Sequence, residues 1–159
     1  MKKLVVYYSY TGNTKKIADM IKNKLDCDIL ELEPLTPFSK DYDEVVNEYQ
    51  NNSIDNKEVP IKDINVNLDD YDEIIIGTPV WWYTISPVVV TFLKENDLSN
   101  KTIYPFATNA GWLGKTFKDI EKLCPNSKIE KEMNIVFESY SDKLKTTEKE
   151  LNDWINSIK

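Results

Sequence analysis

Ser9, Thr11, Gly12, Asn13 and Thr14 lie within one run, Tyr7-Tyr8-Ser9-Tyr10-Thr11-Gly12-Asn13-Thr14, between an apolar stretch and a helical pattern. Three hydroxyls, a carboxamide and a glycine in that setting are suited to an oxyanion. Gly12 lets the backbone approach an anion, the first N–H groups of the following helix point at it, and the hydroxyls add donors. The chemistry indicated is the cradling of a monophosphate. A Walker loop would end in Gly-Lys-Ser/Thr and a dinucleotide fingerprint would carry three spaced glycines, and neither is present. Ser, Thr and Asn also cap many helices that bind nothing, so the run alone leaves a plain capped turn open.

What is missing narrows the chemistry further. The chain has no His and no Arg, so every side-chain cation is a Lys. Ser-His and Cys-His nucleophiles, histidine metal sites and arginine clamps on phosphate are excluded. Cys27 and Cys124 form no CxxC pair and are expected to be small core residues. Acidic runs such as Asp69-Asp70 and Asp72-Glu73 are expected on solvated faces, and no metal is assigned. Redox or group-transfer chemistry would therefore come from a bound cofactor.

The elements that must position the run read as strands and helices in alternation. Strand 3–8 leads to helix 13–25, carrying Ile17, Ala18, Ile21 and Leu25, and a strand at about 27–33 ends at Pro34 and Pro37. Residues 42–51 give a short helix with Tyr42, Val45, Val46 and Tyr49 on one side, followed by a polar, patternless surface excursion to Asp70. Glu73 to Thr78, with Ile74-Ile75-Ile76, is a strand covered on both faces. Ser86 and Pro87 open a helix as side-chain cap and N1 proline. A strand over 102–108 carries Pro105, which must cost a ladder bond or mark a bulge. A helix with Leu113, Phe117, Ile120 and Leu123, a strand within 128–137 and a closing helix with Leu144, Leu151, Trp154, Ile155 and Ile158 complete the chain. Five strands alternating with five helices require right-handed crossovers, a parallel sheet and helices on both faces. With 159 residues, 41% hydrophobic and 30% charged, a single domain over 1–159 is expected.

In such a sheet the loops after strands one, three and four converge beyond the carboxyl ends of the strands. The second of these reads Thr78-Pro79-Val80-Trp81-Trp82-Tyr83-Thr84, three consecutive aromatics where a loop is usually polar. The third reads Thr108-Asn109-Ala110-Gly111-Trp112-Leu113-Gly114, small residues around one large ring. Such rings can stack on a planar ligand, Trp82 before Trp81 or Tyr83, or can serve as core plugs.

The order aromatic, any residue, Ser, two residues, Gly, any residue, Thr after strand one resembles the FMN-binding signature of flavodoxins. The aromatic second loop and the Thr36-Pro37-Phe38-Ser39 excursion extend the likeness over nearly the whole chain, toward small bacterial flavodoxins. The resemblance implies a flavodoxin-like three-layer α/β sandwich with strand order 2-1-3-4-5. It also implies FMN as cofactor, with its phosphate on Ser9, Thr11, Gly12, Asn13 and Thr14. The ring would lie among Pro79, Val80, Trp81, Trp82 and Tyr83 on one side and Thr108, Asn109, Gly111, Trp112 and Gly114 on the other. Flavodoxins commonly place a glycine beside flavin N5, and none occurs between Thr78 and Gly111. Positive φ at Val80, Trp81, Trp82 or Tyr83 would strain their side chains.

A net charge of −7 and a pI of about 4.7 disfavour nucleic acid and favour a basic docking partner. The chain is expected to be cytoplasmic, since no apolar stretch approaches a membrane span and no leader pattern opens it. Negative surroundings without Arg or His make addition of an electron to FMN unfavourable, which points to a low-potential one-electron carrier between redox proteins. The alternative is an FMN-dependent NAD(P)H oxidoreductase acting on quinones or nitroaromatics, with Lys115 or Lys118 as weak partners for a 2′-phosphate. A flavin-free interaction module ranks third.

Overall fold

The computed structural model of the chain describes residues 2–49 and 58–159. In chain order the elements are β1 (Lys3–Tyr7), α1 (Asn13–Leu25), β2 (Asp28–Glu31), α2 (Tyr42–Tyr49), β3 (Glu73–Trp81), β4 (Thr84–Ile85), α3 (Pro87–Glu95), β5 (Thr102–Asn109), α4 (Thr116–Leu123), β6 (Lys128–Ile129), β7 (Met133–Val136) and α5 (Glu148–Ser157). The sheet order is β2-β1-β3-β5-β6, with β7 also on β5 and β4 folded back on β3. Among the described residues every pairing of these strands is parallel apart from the antiparallel β3–β4 hairpin. The parallel strands thus follow the 2-1-3-4-5 order, with β6 and β7 together forming the fifth.

Alternation along the strands divides the core in two. Leu4, Val6, Ile74 and Ile76 face α2, α3 and α4, while Val5, Tyr7 and Ile75 face Ile17 and Ile21 of α1 and Leu151 and Trp154 of α5. Each fully buried aliphatic contributes about 1.5–3 kcal/mol, which is why these strands read as continuous apolar runs. The closing helix starts at a capping box: Thr147 Oγ1 accepts from the Glu150 N–H (3.1 Å), and Glu150 accepts from the Thr147 N–H (3.0 Å).

Four expectations change on contact with the structure. The fifth strand is broken at residues 130–132, and the break explains Pro105. The carbonyls of Ile103 and Asn109 accept from the Glu130 and Phe137 N–H groups (2.9 and 2.8 Å), so the odd-numbered residues of β5 face the β6/β7 edge. The N–H that Pro105 lacks therefore faces the gap, where no ladder bond is lost.

Residues 58–70 are not a patternless excursion. Ile61 bridges Pro34, the Leu35 N–H donates to the Pro60 carbonyl (2.8 Å), and Val59, Ile61, Ile64, Val66 and Leu68 pack on the core as an extended strap. Residues 51–57, and the side chains of Tyr42 and Tyr49, lie outside the described residues.

Ser86 precedes α3 but makes no side-chain cap. Its N–H donates to Thr78 Oγ1 (3.1 Å), and its hydroxyl lies 3.2 Å from the same oxygen. Glu73 is not solvated: it is buried, paired with Lys3 Nζ (2.9 Å), and accepts from the Tyr104 hydroxyl (2.9 Å).

Cys124 is buried and Cys27 half-buried, and neither is in a disulfide. Burial pushes the Cys124 thiol up to about 11. The unfolded chain releases that proton near its ordinary value, and the folded chain does so only near 11. Stability must therefore fall as pH rises from about 9 to 11, by about 2 kcal/mol at the upper end. Urea denaturation at pH 8 and pH 10.5 should show this fall in the wild type and a smaller one in Cys124→Ala.

Candidate functional site

The loops after β1, β3, β5 and β7 enclose a cavity of ≈ 730 Å³ at the carboxyl ends of the parallel strands. The first loop contributes Tyr10, Thr11 and Asn13 to its wall. Ser9 stands behind them and organises the helix entrance: its Oγ accepts from the Gly12 N–H (3.1 Å) and the Lys15 N–H (3.2 Å). With its lone pairs so engaged, the Ser9 O–H is free to donate. Gly12 takes φ +104°, and nothing lies within 4 Å of where a Cβ would stand. The backbone is thus open to a close-approaching anion. Thr14 is buried below the loop and does not reach the cavity; its Oγ1 lies 2.7 Å from Thr108 Oγ1, joining the first loop to the third.

The second loop is shorter than its sequence suggested, because β3 runs on through Pro79 and Val80 to Trp81 and turns back at once into β4. The turn residues are Trp82 (φ 48°) and Tyr83 (φ 69°), both left-handed, as a two-residue primed turn requires. The backbone that was expected to resist positive φ already adopts it. Trp81 packs edge-on against Tyr8, Tyr10 and Phe38 at centroid separations of 6.4, 5.4 and 4.9 Å, and is buried among them. Trp82 crosses Trp81 at 5.6 Å and is half-buried, while Tyr83 is 56% exposed. All three line the cavity, with Pro79 and Val80.

Two contacts anchor the hairpin to the third loop and α4. The Lys115 N–H donates to the Tyr83 carbonyl (2.7 Å), and Thr84 Oγ1 donates to the buried Asp119 carboxylate. Asn109 shapes the third loop: its Oδ1 accepts from the Gly111 and Trp112 N–H groups (2.8 and 3.1 Å), presenting Trp112 at the cavity with 57% of its surface exposed. Thr108, Asn109 and Ala110 line the wall; Gly111 and Gly114 shape the backbone behind it.

A fourth wall lies outside the loops that the sequence pattern singles out. Phe137, Glu138, Tyr140, Ser141 and Asp142 follow β7 and line the same cavity. The rule that ligands bind where strand-end loops converge applies to the last strand as much as to the others, and it was the one available signal. Tyr10, inside the first run, also belongs to the wall; its hydroxyl donates to the Ser39 carbonyl (2.7 Å) and fixes the Phe38 excursion over the site. Among the described residues the carboxylates on the wall are Glu138 and Asp142, and no Lys lines it.

A family model for flavodoxins matches residues 2–158. Among solved structures, a candidate flavoprotein from Bacteroides eggerthii is similar at 26% identity and a TM-score of 0.80, over 99% of this chain and 97% of that one. A flavoprotein from Lactobacillus acidophilus, solved in complex with FMN, shares 23% identity at a TM-score of 0.69, over 84% of this chain and 91% of that one. Flavodoxin 2 from Bacillus cereus, in its oxidised form, shares 20% identity at a TM-score of 0.57, over 99% and 94%. A search of curated proteins found no match. The hydroxyl-rich helix entrance, the aromatic hairpin and the 2-1-3-4-5 sheet thus coincide with a match over nearly the full length, and the chain belongs to the flavodoxin family.

Proposed function

We propose that the cavity binds FMN and that the chain is a low-potential one-electron carrier between redox proteins. The observation that carries this reading is the meeting, in one cavity, of the α1 entrance, at Thr11 and Asn13, with the rings of Trp82, Tyr83 and Trp112. Family membership and the FMN complex of the Lactobacillus acidophilus relative support it. Ser9, Thr11 and the open backbone at Gly12 would hold the phosphate, and Trp82 and Trp112 would flank the ring and limit its contact with water. Bound FMN supplies the electron-transfer chemistry; the protein supplies binding, orientation and charge.

The charge is negative. Among the described residues Glu138 and Asp142 line the cavity and no Lys does, and the whole chain carries −7. An added electron meets that field, so bound FMN should be harder to reduce than free FMN, and a partner steered to this chain should present a basic surface. An anaerobic dithionite titration with reference dyes tests this: a midpoint below that of free FMN is expected, and one above it rejects the low-potential carrier.

The exposed rings of Tyr83 and Trp112 leave room for a second planar group, which favours an NAD(P)H oxidoreductase as the second reading. Against it, neither Lys115 nor Lys118 lines the cavity. Rapid bleaching of bound flavin by NADH or NADPH in a stopped-flow trace would move the assignment to the reductase.

Among the described residues no helix is long and apolar enough to cross a membrane. A carrier working between soluble partners in the cytoplasm accords with that.

A further inference from the structure

Ser141 stands on the fourth wall, on the loop after β7. Its carbonyl accepts from Asn13 Nδ2 (2.9 Å), and the neighbouring Asp142 carbonyl accepts from Lys16 Nζ (3.3 Å). Both donors belong to the first turn of α1, so this loop is fastened to the helix end that favours an anion rather than to the aromatic hairpin. One N–H of the Asn13 amide, a candidate for direct phosphate contact, is engaged in this tether. Ser141 Oγ accepts from the Lys143 N–H (3.0 Å), which leaves the Ser141 O–H to donate outward, the arrangement also found at Ser9. A hydroxyl polarised by an accepted N–H bond is a stronger donor.

The same loop brings Glu138 and Asp142 to the cavity wall, with Lys16 Nζ on the Asp142 carbonyl. An anion beside two carboxylates is better held where the loop also offers hydrogen-bond donors.

We propose that Ser141 is a binding residue for the phosphate end of the cofactor and that Asn13 is the positioning residue that holds it there. The inference rests on the FMN reading above and adds a second loop to the phosphate cradle. It makes phosphate recognition, and hence preference for FMN over riboflavin, depend on a contact between the start of α1 and the loop before α5.

The test is equilibrium titration of the full chain with FMN and with riboflavin, followed by quenching of flavin fluorescence. Ser141→Ala should weaken FMN by about ten- to a hundredfold, the size of one hydrogen bond to a charged group, and leave riboflavin within about twofold. Ser141→Thr, which keeps the hydroxyl, should restore FMN binding. Asn13→Ala should weaken FMN similarly, and Asn13→Ala with Ser141→Ala should cost little more than either alone, because the first acts through the second. Equal losses for FMN and riboflavin would place Ser141 on the part the two molecules share and overturn the inference. Unchanged FMN binding in Ser141→Ala would overturn it while leaving the FMN reading intact. A wild-type chain that binds no FMN would overturn both.

Discussion

Replacing Gly77 by alanine should destabilise this protein by on the order of 3 kcal/mol, although at an exposed strand position the same change is favourable by roughly 0.5–1 kcal/mol. Gly77 pairs with Tyr7 on one side and Phe106 on the other, in the middle of the sheet. The Phe106 ring lies flat over it: a Cβ there would come within 2.7 Å of Cε1 and Cε2 and closer still to Cζ. The ring has nowhere to go. It is fully buried in the cluster formed by α1, α5 and the sheet, and meets the Trp154 ring at a centroid distance of 6.0 Å. Relief requires a strained rotamer or a spread between β3 and β5, and the second would also disturb the bond from the Tyr8 N–H to the Gly77 carbonyl (3.2 Å), where the first loop begins. Urea denaturation should show the loss, and Gly77→Ala with Phe106→Leu, which removes the ring, should recover a substantial part of it. A single variant as stable as the wild type would mean that the two layers yield more easily than their packing indicates.

The layers that make Gly77 critical were readable in the sequence because burial on both faces leaves few choices of residue. Ile74-Ile75-Ile76 and the 3.6-residue spacing of Ile17, Ile21 and Leu25 are direct consequences of what they cover. The hairpin was not readable. A two-residue primed turn is ordinarily signalled by Gly or Asn, and here Trp82 and Tyr83 occupy it, so the run looked like an irregular aromatic loop. Its conformation is imposed from outside, by the Lys115 N–H and the Asp119 carboxylate on a segment about thirty residues away. The fourth wall was hidden for a related reason. Glu138-Ser139-Tyr140-Ser141-Asp142 has the composition of any exposed turn, and its place in the site depends on tethers from Asn13 and Lys16 that only the folded chain brings near. Local pattern reports what an element buries; it does not report what holds a loop in place.

Gly114→Ala should act on the fold and the site together, lowering stability by roughly 2–4 kcal/mol and FMN affinity by about a hundredfold if the ring stacks on the hairpin. Gly114 has φ +57°, which an L-residue takes only at a cost, and its missing Cβ is where Tyr83 sits: a methyl there would lie 2.7 Å from Tyr83 Cα and nearer to its Cβ and carbonyl oxygen. That carbonyl is the acceptor for the Lys115 N–H, so the methyl would push apart the bond that fixes the turn. Trp82 and Tyr83 would then lose the orientation that puts their rings on the cavity, while Trp112, set by Asn109 Oδ1 on the other side of Gly114, would keep its own. Because two of the three close atoms belong to the Tyr83 backbone, shortening that side chain should not cure the clash. Tyr83→Gly by itself relieves a φ of +69° and removes a cavity ring, so the comparison is with that single variant: adding Gly114→Ala to Tyr83→Gly is expected to lower urea midpoint and FMN affinity about as much as it does in the wild type. A loss that disappears in the Tyr83→Gly background would show that the interlock is between side chains, and the hairpin would then be free to rearrange around a bound ring instead of being presented to it already formed.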